Sequence, residues 1–138
     1  MLHFAYGSNM HAAMMRQRCP SARVEGRAVL PGYRFMIMSE GYATIMRAPG
    51  AAVHGVLWQL AARDLAALNA YEGIARGLYR AVTLLVLTDS GRRAALVYVA
   101  ASRVRGRPRP GYMDVIIEAA HAAALPPDYL RNLARHCI

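Results

Sequence analysis

Hydrophobic and polar positions along the chain fall into short runs of two periods. Met1 to Tyr6 is an apolar opening that reads as a first strand. It breaks at Gly7-Ser8-Asn9, and an alanine- and methionine-rich run, Met10 to Arg18, reads as a short helix stopped at Cys19-Pro20-Ser21. Ser8 or Asn9 is the expected cap of that helix. Glu25 to Met38 carries two apolar bursts divided by Pro31-Gly32, a pairing that marks a bend or bulge. Tyr42 to Met46 reads as a short strand closed by Ala48-Pro49-Gly50, and Val53 to Leu60 as the next.

The period then changes. Ala61 to Ala70 has helical spacing, with Leu65 and Leu68 inward, Arg63 and Asp64 outward, and Gly73 as its C-terminal cap. Leu78 to Thr88, the turn Asp89-Ser90-Gly91, and Arg93 to Ala101 form a hairpin. Ser102 to Gly111 is a loop rich in arginine and proline. Tyr112 to Ala124 is helical, and Pro126-Pro127-Asp128 opens a last helix through Arg135. Strands interleaved with few, short helices do not make regular βαβ units. The expected fold is α+β: a small, mostly antiparallel (mixed) barrel with flanking short helices. Glycines 32, 41 and 55 ease its curvature.

Length and composition narrow the class. The chain has 138 residues, 56% of them hydrophobic, which suits one domain over 1–138 with a real core. No apolar run is long enough to cross a bilayer, and the N-terminus does not read as a secretory signal, so the expectation is a cytoplasmic protein. Cys19 and Cys137 lie at opposite ends and read as free thiols. His3, His11, His54, His121 and His136 form no local ligand pair, so the sequence supports no metal site. The net charge is +9 and every basic residue is arginine, clustered once at Arg103, Arg105, Arg107 and Arg109. Such a balance suits acidic small molecules or, as a lesser reading, nucleic acid through that loop. Methionines and alanines that look exposed near the N-terminus are compatible with a homodimer.

Candidate chemistry centres on Glu72. An acid at the C-terminal end of a helix opposes the helix dipole, and such local violations collect at functional sites. Tyr71 and Gly73-Ile74-Ala75 can shelter the carboxylate, and burial together with the helix end raises its pKa toward values useful for moving protons. The other acids sit at turns, helix starts or solvated faces, with Glu40, between Ser39 and Gly41, kept as a lesser candidate. Tyr79, Tyr98 and Tyr112 form a second group, each phenol offering a donor and an acceptor on an apolar body. Ser8 lacks the flanking pattern of a serine nucleophile.

The residues also resemble a known family. Phe4-Ala5-Tyr6-Gly7-Ser8-Asn9-Met10 resembles the Y-G-S-N signature of γ-glutamylcyclotransferases and their AIG2-like relatives. Gly41 to Ile45, Val53 to Trp58, Leu68 to Gly73 with Tyr79-Arg80, Pro110-Gly111-Tyr112 and Leu125 to Tyr129 are similar to later family segments, in the same order. The resemblance implies a small barrel with flanking helices and cyclisation of a γ-glutamyl compound to 5-oxoproline, with release of an amine or amino acid. It makes Glu72 the catalytic acid/base. It makes Phe4, Ala5, Tyr6, Gly7, Ser8 and Asn9 the substrate-binding loop, and sets Tyr79, Tyr98 and Tyr112 along the pocket. The reaction needs no metal or cofactor. Asn69 stands where the family usually has aspartate, close enough in sequence to Glu72 to alter its pKa or orientation, and Met10 replaces leucine. The alternatives are a non-catalytic module of the same fold that binds a small metabolite and, more distantly, a nucleic-acid binder.

Overall fold

The computed structural model describes residues 1–137. Its five strands are β1 (Leu2–Ala5), β2 (Arg23–Ile37), β3 (Ala43–Gln59), β4 (Tyr79–Thr88) and β5 (Gly91–Ala100). They close into a barrel in the order β1-β3-β2-β4-β5. Every pairing is antiparallel except the seam, where β5 meets β1 in parallel at His3 and Leu96. Helices α1 (Ala12–Arg18), α2 (Ala62–Tyr71), α3 (Tyr112–Ala122) and α4 (Pro127–Ala134) flank it. None of the described helices is long and apolar enough to cross a membrane.

The expected short strands on either side of Pro49-Gly50 are one strand. β3 runs unbroken through both residues and pairs with the whole of β2. The register slips between Pro31 and Tyr33, opposite the stretch between Arg47 and Ala52, so the signals at Pro31-Gly32 and Pro49-Gly50 mark one irregularity in a long hairpin. Gly32 and Gly50 both have positive φ there, and Pro49 and Gly50 are exposed, so an absent N–H costs no buried bond.

Gly55 does something different from easing curvature. A Cβ at this position would lie 2.2 Å from the carbonyl oxygen of Ala5 and 3.0 Å from the Phe4 ring. β1 can press against β3 only because residue 55 has no side chain. The same contact fixes Phe4, which is fully buried, and hence the chain that leaves β1 for the site.

Two local expectations change. α1 begins at Ala12 and has no side-chain cap; a 3-10 turn over Ser8–Met10 precedes it. Ser8 and Asn9 do not cap because their side-chain oxygens are taken by Arg18, from the far end of α1. In α2, Asp64 turns inward and is buried, contrary to its helical spacing. Its carboxylate accepts from the N–H of Ala61, just ahead of α2, at 3.0 Å and from the N–H of Ser21, beyond α1, at 3.4 Å. Cys19 is buried and Cys137 exposed, both as free thiols. Of the N-terminal methionines, Met10 and Met15 belong to the core rather than the surface; Ala12 and Ala13 are exposed.

Gly55→Ala is expected to destabilise the protein by roughly 1–3 kcal/mol through overpacking alone, measured as a lower denaturant midpoint with an unchanged slope. A midpoint equal to wild type would show that β1 and β3 have room to part.

Candidate active site

The end of β1, the first residues of β3 and β4, the last turns of β5, the end of α2 and the start of α3 converge on one cavity of about 300 Å³. Each of the ten residues singled out in the sequence lines it: the segment Phe4 to Asn9, Glu72, and the phenols Tyr79, Tyr98 and Tyr112. Distant parts of the chain meet there because strand ends on one rim of a barrel are neighbours whatever their separation in sequence.

Glu72 is the C-cap of α2, followed by Gly73 in the left-handed conformation (φ 68°) that ends the helix. Leu68, one turn earlier, is fully buried and pins the helix, and the Glu72 N–H donates to its carbonyl at 2.9 Å. The carboxyl group is largely enclosed. Burial pushes its pKa from 4.5 up to about 7, while the hydrogen bond from Asn9 and the charge of Arg18 pull it back part of the way. At neutral pH this group divides between acid and base, as proton transfer in both directions requires.

Asn9 holds the carboxylate directly. Its Nδ2 donates to Glu72 Oε1 at 2.9 Å, and its Oδ1 accepts from Arg18 at 2.6 Å. The Trp58 indole N–H donates to the Asn9 carbonyl at 2.9 Å, tying the 3-10 turn to β3. Arg18 also donates to Ser8 Oγ at 3.1 Å and to the Tyr71 hydroxyl at 2.6 Å, and its guanidinium lies 3.7 Å above the Tyr71 ring. One arginine therefore clamps the signature loop to the end of α2. The 3-10 turn uses Gly7 and Ser8 as acceptors for Met10 and His11, which leaves the N–H groups of Ser8 and Asn9 without partners inside the turn.

The phenols do different work. Tyr6 donates to the Tyr98 carbonyl and Tyr79 to the Ala43 carbonyl. Tyr98 donates to Asn69 Oδ1 at 2.5 Å. Tyr112 instead accepts, from the Ala43 N–H at 3.0 Å, so its own proton remains for a ligand. Burial is the largest cause raising all four above the ordinary tyrosine value, so they stay neutral as Glu72 titrates. Asn69, the departure from the family pattern, acts on Tyr98: its side-chain oxygen supplies the acceptor that an aspartate oxygen would also supply.

Sequence reasoning missed part of the site. Tyr42, Ala43, Arg76 and Arg109 line the cavity, and so does Glu40, the lesser candidate. Arg109 comes from the loop read as a lesser nucleic-acid element. Its Nε donates to the Glu40 carbonyl at 3.0 Å and its guanidinium lies 4.7 Å from the Tyr42 ring centroid, at the rim of the cavity. The signal was an arginine among prolines and glycines, which says nothing about where the loop folds. Arg103, Arg105 and Arg107 are exposed.

A carboxyl group whose pKa is higher folded than unfolded favours folding when protonated. That contribution is complete below pH 4.5 and is lost as pH rises through about 7. Glu72→Gln keeps the shape without the charge, so at pH 8 this variant is expected to be more stable than wild type by roughly 1–3 kcal/mol, with the difference vanishing near the unfolded pKa. Denaturant melts at the two pH values check this, and equal stabilities at pH 8 would mean that the carboxylate is well solvated.

The model of the AIG2-like family matches residues 52–133, more than half of the chain. The chain is 32% identical over 143 aligned positions to the gamma-glutamylcyclotransferase of Mus musculus, covering 96% of this chain and 76% of that protein. It is 29% identical to the gamma-glutamylcyclotransferase of Homo sapiens over the same shares. The solved structure of a gamma-glutamyl cyclotransferase superimposes with a TM-score of 0.90 at 29% identity, over 96% of this chain and 85% of that one. Sequence and barrel agree, and the chain belongs to the AIG2-like family that its gamma-glutamylcyclotransferase relatives represent.

Proposed function

We propose that this protein cyclises a γ-glutamyl amino acid or γ-glutamyl amine to 5-oxoproline and releases the free amine, with Glu72 as acid and base in turn. The observation that carries the reading is a largely buried carboxyl group with a pKa of about 7, held by Asn9 in a cavity of about 300 Å³. The gamma-glutamylcyclotransferase relatives supply the substrate class.

The chemistry follows from the groups present. The α-nitrogen of a γ-glutamyl compound enters as ammonium and must lose a proton before it can attack. Ionised Glu72 takes that proton. The nitrogen adds to the γ-carbonyl of the same molecule, closing a five-membered ring, and the carbonyl oxygen becomes an oxyanion. When the oxyanion collapses, the bond to the outgoing nitrogen breaks; Glu72 returns the first proton to that nitrogen and relays to it the second proton that the ring nitrogen sheds, so the lactam keeps one N–H and the amine leaves as ammonium. No water is consumed, and Glu72 ends in its starting state. Folding the substrate so that nitrogen and carbonyl carbon meet removes much of the entropic barrier, and a cavity with fixed walls can impose that shape.

The remaining residues suit the charges involved. The open N–H groups of Ser8 and Asn9 and the free Tyr112 proton are donors for the α-carboxylate and the oxyanion. Tyr6 and Tyr79 have committed their protons and offer lone pairs to the α-ammonium. Arg76 and Arg109 also stand on the cavity lining, Arg109 bonded to the Glu40 carbonyl. Their charge favours leaving groups that carry a carboxylate over simple amines.

The test is release of 5-oxoproline from a panel of γ-glutamyl amino acids and amines. Wild type is expected to turn over at least one member, with kcat/KM rising with pH through about 7 to a plateau as Glu72 ionises. Glu72→Gln is expected to lose at least about a thousandfold in kcat while binding the same substrate with similar affinity, as expected for loss of a group used both as base and as acid. Turnover by the glutamine variant would remove Glu72 from the role, and stabilisation by a panel member without product would favour the binding module.

A further inference from the structure

We infer that His3 is a positioning residue for Glu72, acting through Asn9: its bare Nε2 accepts one proton of the Asn9 amide and so commits the other to Glu72 Oε1. His3 lies at the middle of β1, 2% exposed, on the seam where β1 and β5 pair in parallel. Its Nδ1 is 3.1 Å from the Leu96 carbonyl, and its Nε2 is 3.4 Å from Asn9 Nδ2. A carbonyl only accepts, so Nδ1 carries the proton. Burial holds the ring neutral, its pKa pulled down to about 4, so Nε2 presents a lone pair.

These facts fix the Asn9 amide without ambiguity. Its oxygen faces Arg18, which can only donate; its nitrogen faces His3 Nε2, which can only accept, and Glu72 Oε1, which accepts whenever the group is ionised. Reversing the amide would oppose like groups at Arg18 and at His3, and at Glu72 whenever it is ionised. The barrel seam thus sets the tautomer of His3, the tautomer sets the amide, and the amide keeps Oε1 occupied. Oε2 is left as the oxygen that gains and loses the proton. Without the acceptor on His3, the amide is free to turn, its bond to the carboxylate weakens, and Glu72 becomes a weaker acid.

Over the range in which Glu72 titrates, the surrounding groups hold one state. Those acting on it are Arg18 from α1, Tyr6 beyond β1, Tyr79 of β4, Tyr98 of β5 and Tyr112 of α3, and Glu40, Tyr71, Arg76 and Arg109 line the same cavity. Each guanidinium carries its charge throughout, and burial keeps the phenols of Tyr6, Tyr79, Tyr98 and Tyr112 neutral. A displaced pH profile therefore reports on Glu72.

Two substitutions separate positioning from packing. His3→Asn can keep the bond to Leu96 but does not reach Asn9; His3→Gln can place an acceptor oxygen where Nε2 stood. In His3→Asn, kcat is expected to fall about tenfold with KM nearly unchanged and the acid limb of kcat/KM displaced upward, as for a mispositioned general base. His3→Gln is expected to restore both. His3→Asn should add nothing to Asn9→Ala, since both remove one link. These kinetic results rest on the cyclisation reading. A second readout does not: solvent exchange of the Asn9 side-chain amide protons by NMR. It is expected to be at least about tenfold faster in His3→Asn and near wild type in His3→Gln. If exchange is the same in wild type and His3→Asn, or if His3→Gln behaves as His3→Asn, the positioning role is overturned whether or not the protein turns over a γ-glutamyl substrate.

Discussion

Taking a carboxyl group out of water disfavours its charge, and this site depends on how far that is allowed to go. Full burial without partners would leave Glu72 permanently protonated and useless as a base; full exposure would leave it permanently ionised and a poor acid. The structure sits between these limits. Enclosure at the end of α2 raises the pKa, and the Asn9 hydrogen bond and the Arg18 charge bring it back to about 7. The cavity walls enclose this carboxyl group, and Asn9 and Arg18 restrain it.

The restraints come from the barrel rather than from the loops. β1 is only four residues long, but it is held on both edges, by β3 and by β5, and pressed onto Gly55. It delivers the signature segment to the rim with little freedom. Trp58 on β3 fixes the Asn9 backbone and Arg18 on α1 fixes its side chain. Phenols from β4, β5 and α3 are bonded to backbone or to Asn69, so the cavity walls are set before any ligand enters. A fold that spends so many polar contacts on one cavity is arranged for preorganised chemistry.

Much of this was legible in the sequence, for identifiable reasons. Alternating apolar positions gave the strands, and the β4–β5 hairpin agrees because its turn residues and its pattern point the same way. Glu72 stood out because an acid at a helix C-terminus contradicts the dipole. Pro49-Gly50 looks like a terminator and so suggests separate strands on either side; at an exposed irregularity of the long β2–β3 hairpin it terminates nothing. Helical period places Asp64 outward, but the backbone N–H groups of Ala61 and Ser21 draw it in. The side chains of Ser8 and Asn9 suit capping, but Arg18, from the far end of α1, claims them. Arg109 was beyond reach, since its place at the cavity depends on the path of a loop without periodic structure.

The account turns on the ionisation of one residue, and that ionisation can be observed directly. Carbon-13 NMR of protein labelled at the glutamate carboxyl carbons, with Glu72 assigned by its absence from the glutamine variant, gives its titration curve in the resting protein. The expected midpoint is about 7, well above the ordinary value of 4.5. A midpoint near the ordinary value would mean that the carboxyl group is effectively solvated, and would contradict both its restrained burial and its use as acid and base at neutral pH.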